Sequence, residues 1–343
     1  MADDEASEFS PEYEALVGLL NTRLSTGPLD IQILPDASFL LSSGRLAEIV
    51  NNTLGVPKDV LAKAFIAARR IFFEHLDNLA EKAELILDST SVILLFDPEH
   101  VTAVNARKRI CLGLAYRARS QPEQTKRLKE ELWFSKFLVT SKLKRHNKSP
   151  TLWSHRRWLI KNLHTLSGLL GPKWVEFEIE EVILISAEHH PKNYYAWDYM
   201  RWLIASRPGL DPKTRAGLNR PLARMMQRWC MHHTSDSSGW SFLAWMILRQ
   251  PDADRRVSEQ MQATAGAEVL DYAVLLGLKN LSLWKFLQEI LGFARGEEVE
   301  GVRFQYLLSL GDLKGGEPRG EALQVFAEKS LMAIGEYEKS CRV

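Results

Sequence analysis

Trp153, Trp197, Trp240 and Trp284 stand 44, 43 and 44 residues apart, and Val104 holds the equivalent place in a weaker unit 49 residues before the first. Self-similarity at such a period is the signature of a stacked array of supersecondary units. The period accommodates a helix, a turn and a second helix. Tetratricopeptide repeats, at about 34 residues, are too short to fit.

The neighbourhoods of these residues recur as well. Pro150-Thr151-Leu152-Trp153-Ser154-His155-Arg156-Arg157-Trp158 is one unit, and Asn193-Tyr194-Tyr195-Ala196-Trp197-Asp198-Tyr199-Met200-Arg201-Trp202 is the next. Ser237-Ser238-Gly239-Trp240 and Asn280-Leu281-Ser282-Leu283-Trp284 continue the series, which Thr102-Ala103-Val104 opens. Trp153, Arg157 and Ile160 fall at i, i+4 and i+7, one face of a helix, and Trp197, Arg201 and Ile204 repeat it. A second aromatic at i+5 (Trp158, Trp202, Trp245) points elsewhere, so each helix is apolar on two sides, as a stacked helix must be. Gly168, Gly171-Pro172, Pro191, Pro208-Gly209, Pro212 and Pro251 punctuate the units. Second helices are expected over Trp174 to Ala187 and Leu222 to His232. The tryptophans are packing residues on this reading. Arg156, Arg157 and Arg201 are expected to tie adjacent repeats through carboxylates or carbonyls.

Outside the repeats, residues 11–24 read as a short amphipathic helix and residues 28–41 as an irregular packed segment. Pro57 suits the first position of a helix running from Lys58 to Asn78, and a further helix is expected from Leu79 to Phe96. No alternation persists long enough to propose a sheet. Gly315-Gly316 precedes a last helical stretch from Ala322 to Tyr337. The expected organisation is a helical cap over 1–96, five repeats over 97–291 and a second cap over 292–343, because terminal repeats need covers. The expected class is all-α: a right-handed alpha-alpha superhelix of helical hairpins.

The net charge of +1 gives no global field for nucleic acid or anionic membrane. Cys111, Cys230 and Cys341 are far apart, which excludes a disulfide framework and a C-x-x-C zinc site and suits a reducing, cytoplasmic setting. The acidic stretch from Met1 to Ser10 has no apolar core for a signal peptide, and no run spans a membrane. Cys341 lies third from the end, where a prenylation box needs the fourth. No nucleotide-binding glycine motif and no H-E-x-x-H is present. His189-His190 and His232-His233 are adjacent, which on a helix prevents convergence on one metal, and they read as C-terminal histidines favoured by the helix dipole.

The units resemble the repeat of the protein prenyltransferase alpha-subunit family, Pro-x-Asn-Tyr-x-x-Trp-x-x-Arg, which Pro191-Lys192-Asn193-Tyr194-Tyr195-Ala196-Trp197 follows closely. Five units cover residues 98 to 290. Lys148-Ser149-Pro150 with Leu152-Trp153 and His155-Arg156-Arg157-Trp158, and Ser235-Asp236-Ser237-Ser238-Gly239, resemble the branch of alpha-subunit repeat-containing proteins, as does Leu54-Gly55-Val56. The resemblance implies a crescent of hairpins around a separate beta subunit, which carries zinc and most of the isoprenoid pocket. Zinc lowers the substrate cysteine's pKa, and the thiolate displaces diphosphate from the isoprenyl diphosphate co-substrate. It further implies Lys148 as the alpha-subunit lysine that offsets charge on the leaving diphosphate, with Lys192, Tyr194 and Tyr195 near substrate. Trp153, Arg156, Trp197, Arg201, Trp240 and Trp284 are the structural residues of the repeat, and this chain itself is expected to hold no metal. The family's Asn-Tyr is replaced by Ser149-Pro150 in the second unit, and Leu243 and Leu287 replace arginine in the fourth and fifth.

Lys148 also lies in a basic run of Lys142, Lys144, Arg145 and His146, where a compact ammonium suits a phosphate and equally suits a solvated helix end. Two functions compete. One is the alpha-type subunit of a heterodimeric protein prenyltransferase, transferring a geranylgeranyl group to C-terminal cysteines of protein substrates. The other is a non-catalytic helical-repeat scaffold. The near-zero charge speaks against a nucleic-acid groove.

Overall fold

The computed structural model describes residues 9–24, 30–35, 44–113, 120–167, 171–206, 212–248, 255–315 and 321–340. Most of the acidic N-terminal stretch (Met1 to Glu8), Pro28, Gly168, Pro208-Gly209, Pro251, Gly316 and Cys341 lie outside the described residues. The fold class is all-α and hairpin-built, with one small sheet. Residues 1–209 and 210–343 each form a compact body.

In the first body α1 (Pro11–Leu24), α2 (Lys58–His75) and α3 (Ala83–Phe96) pack together. A parallel pair, β1 (Asp30–Leu34) and β3 (Thr53–Pro57), is extended antiparallel by β2 (Glu48–Val50). This sheet corrects the sequence expectation: the irregular segment contains a strand. Its strands are three to five residues long, too short for alternation to register. The β2–β3 turn is Asn51-Asn52, both at positive φ (49° and 59°), which a two-residue hairpin requires and asparagine tolerates. Pro57 is the extended residue before α2 rather than its first helical one.

The repeats begin with α4 (Val101–Cys111) and α5 (Gln121–Val139). After the single turn α6 (Lys144–Asn147) come α7 (Pro150–Ser167) and a second helix made of α8 (Pro172–Glu178), a π-turn (Ile179–Leu184) and α9 (Ile185–His189), then α10 (Tyr194–Ser206). The second body holds α11 (Pro212–His232), α12 (Ser237–Leu248), α13 (Arg255–Leu275), α14 (Leu281–Leu287) running into a π-turn, α15 (Glu297–Gly315) and α16 (Glu321–Ser340).

Every repeat tryptophan is buried, from 0% exposed at Trp197 to 3% at Trp153. The indole is more than bulk. Trp153 donates to the Asn147 carbonyl at 2.7 Å, Trp240 to Thr234 at 3.0 Å and Trp284 to Leu278 at 2.9 Å. In each case the acceptor lies six residues upstream, so the ring pins the turn to the helix that follows. The residue four before the tryptophan caps that helix: the side chains of His100, Ser149, Asn193 and Asp236 each accept a backbone N–H three residues on.

A second recurrent feature was not visible as such in the sequence. Three residues after Val104 and Trp153 stand Arg107 and Arg156, both buried. Arg156 forks onto Glu178 at 2.6 and 2.7 Å and reaches the Leu132 carbonyl. Arg107 forks onto Glu131 at 2.8 and 2.6 Å and donates to Leu87, Thr90 and Ser91. Each carboxylate also takes a donor from the next repeat, two residues after its tryptophan. His155 Nε2 donates to Glu131 at 2.7 Å, and the Tyr199 hydroxyl donates to Glu178 at 2.7 Å. At the same two positions in the later units stand Phe242-Leu243 and Phe286-Leu287, all buried. The polar seam has become apolar there, and Trp240 packs on Phe286 at 4.9 Å as Trp153 packs on Tyr199 at 5.1 Å. Met200, already apolar, replaces the arginine in the third unit.

Burial alone would raise the Glu131 carboxyl, but the Arg107 charge and the His155 bond pull it down to about 2. His155 is lowered by burial against the pull of Glu131. His146 is lowered to about 4 by burial, partly offset by its bond to the Leu95 carbonyl at 2.9 Å. Its Nδ1 has no hydrogen-bond partner, so a second proton would be stranded. Cys111 and Cys230 are buried, and burial pushes both thiols up.

Two outcomes are expected. Arg156→Met strands the buried Glu178 charge and costs about 3–5 kcal/mol in urea unfolding. The triple change Arg156→Met, Glu178→Leu, Tyr199→Phe rebuilds the apolar seam of the later repeats and recovers most of that loss. If the triple variant is as unstable as the single one, the seam is not exchangeable in this way. The second concerns pH. The folded His146 binds its proton later than an unfolded histidine near 6.5, so the unfolded chain takes up the proton first. Stability is full above that pH and falls as pH drops toward 4, by up to about 3 kcal/mol for this group. Glu131 adds a further loss from about 4.5 downward. His146→Gln, which keeps a donor for the Leu95 carbonyl, should remove close to one proton from the uptake that accompanies unfolding near pH 5.

Candidate functional site

The turns ahead of α7 and α10 carry the residues singled out from the sequence, and the structure brings these two turns together. Asn147 ends the first turn and Asn193 caps α10. Both are fully buried. Asn147 Nδ2 donates to the Ser186 carbonyl at 3.2 Å and the Ser141 carbonyl at 3.4 Å. Asn193 Nδ2 donates to the Asn147 carbonyl at 3.1 Å, to Ser186 Oγ at 3.1 Å and to Asn147 Oδ1. Two buried amides thus fix the residues beside them, Lys148 and Lys192. The sequence reading passed over both asparagines, although the Pro-x-Asn-Tyr pattern contains the second.

Two histidines fasten the same turns from outside. His189 Nδ1 donates to the Thr140 carbonyl at 2.7 Å, and His190 Nε2 to the Lys142 carbonyl at 2.8 Å. They are helix-end residues, as expected, but what they bind is the preceding repeat's turn. Burial lowers the pKa of His190, and the positive charges of Lys148, His189 and Lys144 lower it further, against the bond to Lys142. The region is electropositive.

Lys148 is half-buried, and its ammonium donates to the Pro191 carbonyl at 3.3 Å. That carbonyl immediately precedes Lys192, so the two lysines stand on abutting turns. Lys192 is exposed and held at φ 59°, a costly conformation for a residue with a Cβ. The bond from Tyr194 N to the Lys192 carbonyl at 3.0 Å closes that turn. Tyr194 is 64% exposed and Tyr195 36%, their rings edge to face at 5.8 Å. Two other cations of the run are neutralised: Lys142 pairs with Asp30 at 3.1 Å, and Arg145 faces Asp97 at 3.9 Å. Lys148 has no carboxylate partner among the described residues. Its ammonium is therefore bound to a neutral carbonyl and has further donors to offer a phosphate-bearing ligand.

The remaining sequence candidates are packing or pairing residues of the helices, Trp240 and Trp284 in the second body and the others in the first. Arg156 is sealed on Glu178. Arg157 pairs with Asp198 at 2.9 Å over the Trp202 ring. Arg201 is half-buried on α10. No group of three or more His, Cys, Asp or Glu side chains able to hold a metal occurs among the described residues. No described helix is long and apolar enough to cross a membrane.

Comparison with known proteins follows the same lines. A family model described as the ECM9 middle domain matches residues 132–269. The protein prenyltransferase alpha subunit repeat-containing protein 1 of Homo sapiens is 28% identical over 182 residues, 48% of this chain and 41% of that protein. Its namesake from Danio rerio is 27% identical over 137 residues, 35% of this chain and 29% of that one. The geranylgeranyl transferase type-2 subunit alpha of Candida albicans is 28% identical over 130 residues, 37% and 32% of the respective lengths. The chain thus matches less than half the length of these relatives. The resemblance to the prenyltransferase alpha-subunit family, first read from the tryptophan units, holds in these matches.

Proposed function

We propose that this relative of the prenyltransferase alpha-subunit proteins acts as the alpha-type subunit of a heterodimeric protein prenyltransferase. Its partner would be a beta-type subunit, and the reaction geranylgeranyl transfer to a C-terminal cysteine of a protein substrate. The observation that carries the reading is the Lys148 ammonium, set on the Pro191 carbonyl beside Lys192 and balanced by no carboxylate among the described residues. A cation so placed gains most when negative charge grows on a departing diphosphate, which is where electrostatic stabilisation accelerates the step. Lys192 and the phenols of Tyr194 and Tyr195 would flank the same ligand. Zinc, carried by the beta-type subunit, would supply the lowered pKa of the substrate thiol.

A second reading, a scaffold without transfer activity, draws on Pro150. It stands where the family has a tyrosine, so one phenol of the expected set is missing from the second unit.

Co-expression with a geranylgeranyl transferase beta subunit separates the two. On the first reading the chains co-purify and transfer labelled isoprenoid to a protein ending in cysteine. Lys148→Ala then lowers kcat by about 10²–10³-fold, with the complex intact. A complex that forms but transfers nothing, alike with and without Lys148, establishes the scaffold. No complex with any beta subunit ends the first reading.

A further inference from the structure

In the body formed by residues 210–343, a groove of about 270 Å³ runs between α11 and α13. Its lining includes four buried apolar side chains, Ala223, Ile247, Met261 and Ala265, two of them as small as a methyl group, and these form its floor. One wall carries Arg220 and Arg224, exposed and one helical turn apart, and Arg228 continues the row. None of the three arginines pairs with a carboxylate among the described residues. Arg220 makes only a long contact of 3.5 Å to Gln260. Glu268, in the same lining, accepts from the Gln227 amide at 2.7 Å, so among the described residues no carboxylate neutralises Arg220 or Arg224.

We propose that this groove docks an acidic segment of a partner polypeptide, one that sets an aliphatic side chain into the floor with carboxylates on either side. The volume lies just under the roughly 300–1,000 Å³ of small-molecule pockets, and suits one or two side chains. The arginine row supplies forked donors matched to carboxylates. Glu268 in the same lining limits how much negative charge the site accepts, which favours a short segment with an apolar centre over a continuous polyanion. Charge complementarity of this kind sets specificity and on-rate. The site is separate from the lysine turns, and it stands whether or not Lys148 handles diphosphate.

The test is fluorescence anisotropy of the full chain with a labelled synthetic peptide in which two leucines sit between glutamate pairs. Saturable, salt-sensitive binding is expected. It should weaken about tenfold or more when Arg220 and Arg224 are both changed to Glu, and similarly when Ala265→Leu fills the floor. Arg224→Gln, an exposed change that leaves thermal unfolding unaltered, should weaken it less. A peptide with lysines for glutamates, or alanines for leucines, should bind at least tenfold more weakly. Absence of saturable binding, binding indifferent to the arginine and Ala265 changes, or tighter binding of an oligouridylate through the same arginines would each overturn the proposal.

Discussion

A carboxylate sealed inside a helical stack is tolerable only when its charge is paired and both oxygens are hydrogen-bonded, since an uncompensated buried charge costs several kcal/mol. Glu131 and Glu178 meet that condition in the same way. Each takes both arms of an arginine from its own hairpin, and one donor from the hairpin that follows. The arrangement cannot be satisfied by one repeat alone. Arg156 and Glu178 fix the two helices of a hairpin against each other, and Tyr199 then fixes where the next hairpin begins. Tryptophan packing supplies the area, but flat apolar faces slide. A forked ion pair with a third donor admits one register only.

That register reaches the surface. Asn147 and Asn193 sit at the mouths of the same helices, and their amides close the turns to within a hydrogen bond of each other. The Trp153 indole donates to the very carbonyl that Asn193 also uses. Shifting the hairpins by a fraction of a turn would break these contacts together, and would part Lys148 from the Pro191 carbonyl. The placement of Lys148 and Lys192 is therefore decided by buried amides and, one layer down, by the glutamates. Electropositive character here does not come from a surplus of basic residues, for the chain carries a net charge of only +1. It comes from which cations are left unneutralised. Asp30 and Asp97 answer Lys142 and Arg145, while a carbonyl answers Lys148.

How far the sequence disclosed this depends on the length scale of each feature. Trp153, Trp197, Trp240 and Trp284 recur at a period that survives divergence, so the hairpins and their caps at Ser149, Asn193 and Asp236 were within reach. Arg156 was visible as a repeat residue, but its partner Glu178 lies 22 residues on, across a loop and in a different helix, where no local spacing links the two. Arg107 stands at the same place, three residues after Val104, but it is one of three cations in Arg107-Lys108-Arg109, and nothing local shows which of them is buried. The sheet failed for another reason: strands of three to five residues give alternation too little length, and the Asn51-Asn52 turn was the only local sign. Lys148 and Lys192 were reached through family resemblance. Nothing in the one-dimensional chain shows that a carbonyl between them brings their turns into contact.

The later units argue that the polar seam is one solution among others. Where Phe242-Leu243 and Phe286-Leu287 replace the donor and the arginine, the helices remain buried and the tryptophans keep their indole bonds. Apolar contact is as good a glue there, as expected when whole ion pairs are exchanged for well-packed hydrophobic groups. What the exchange removes is the single register. Positional precision is thus concentrated in residues 87–199, the stretch that ends on the lysine turns. The apolar seam of the second body instead sits beside small residues, Ala223 and Ala265, which leave a groove open between α11 and α13. One hairpin repeat, with polar or apolar residues at the second and third positions after its tryptophan, yields a rigid charged turn in one body and an accessible slot in the other.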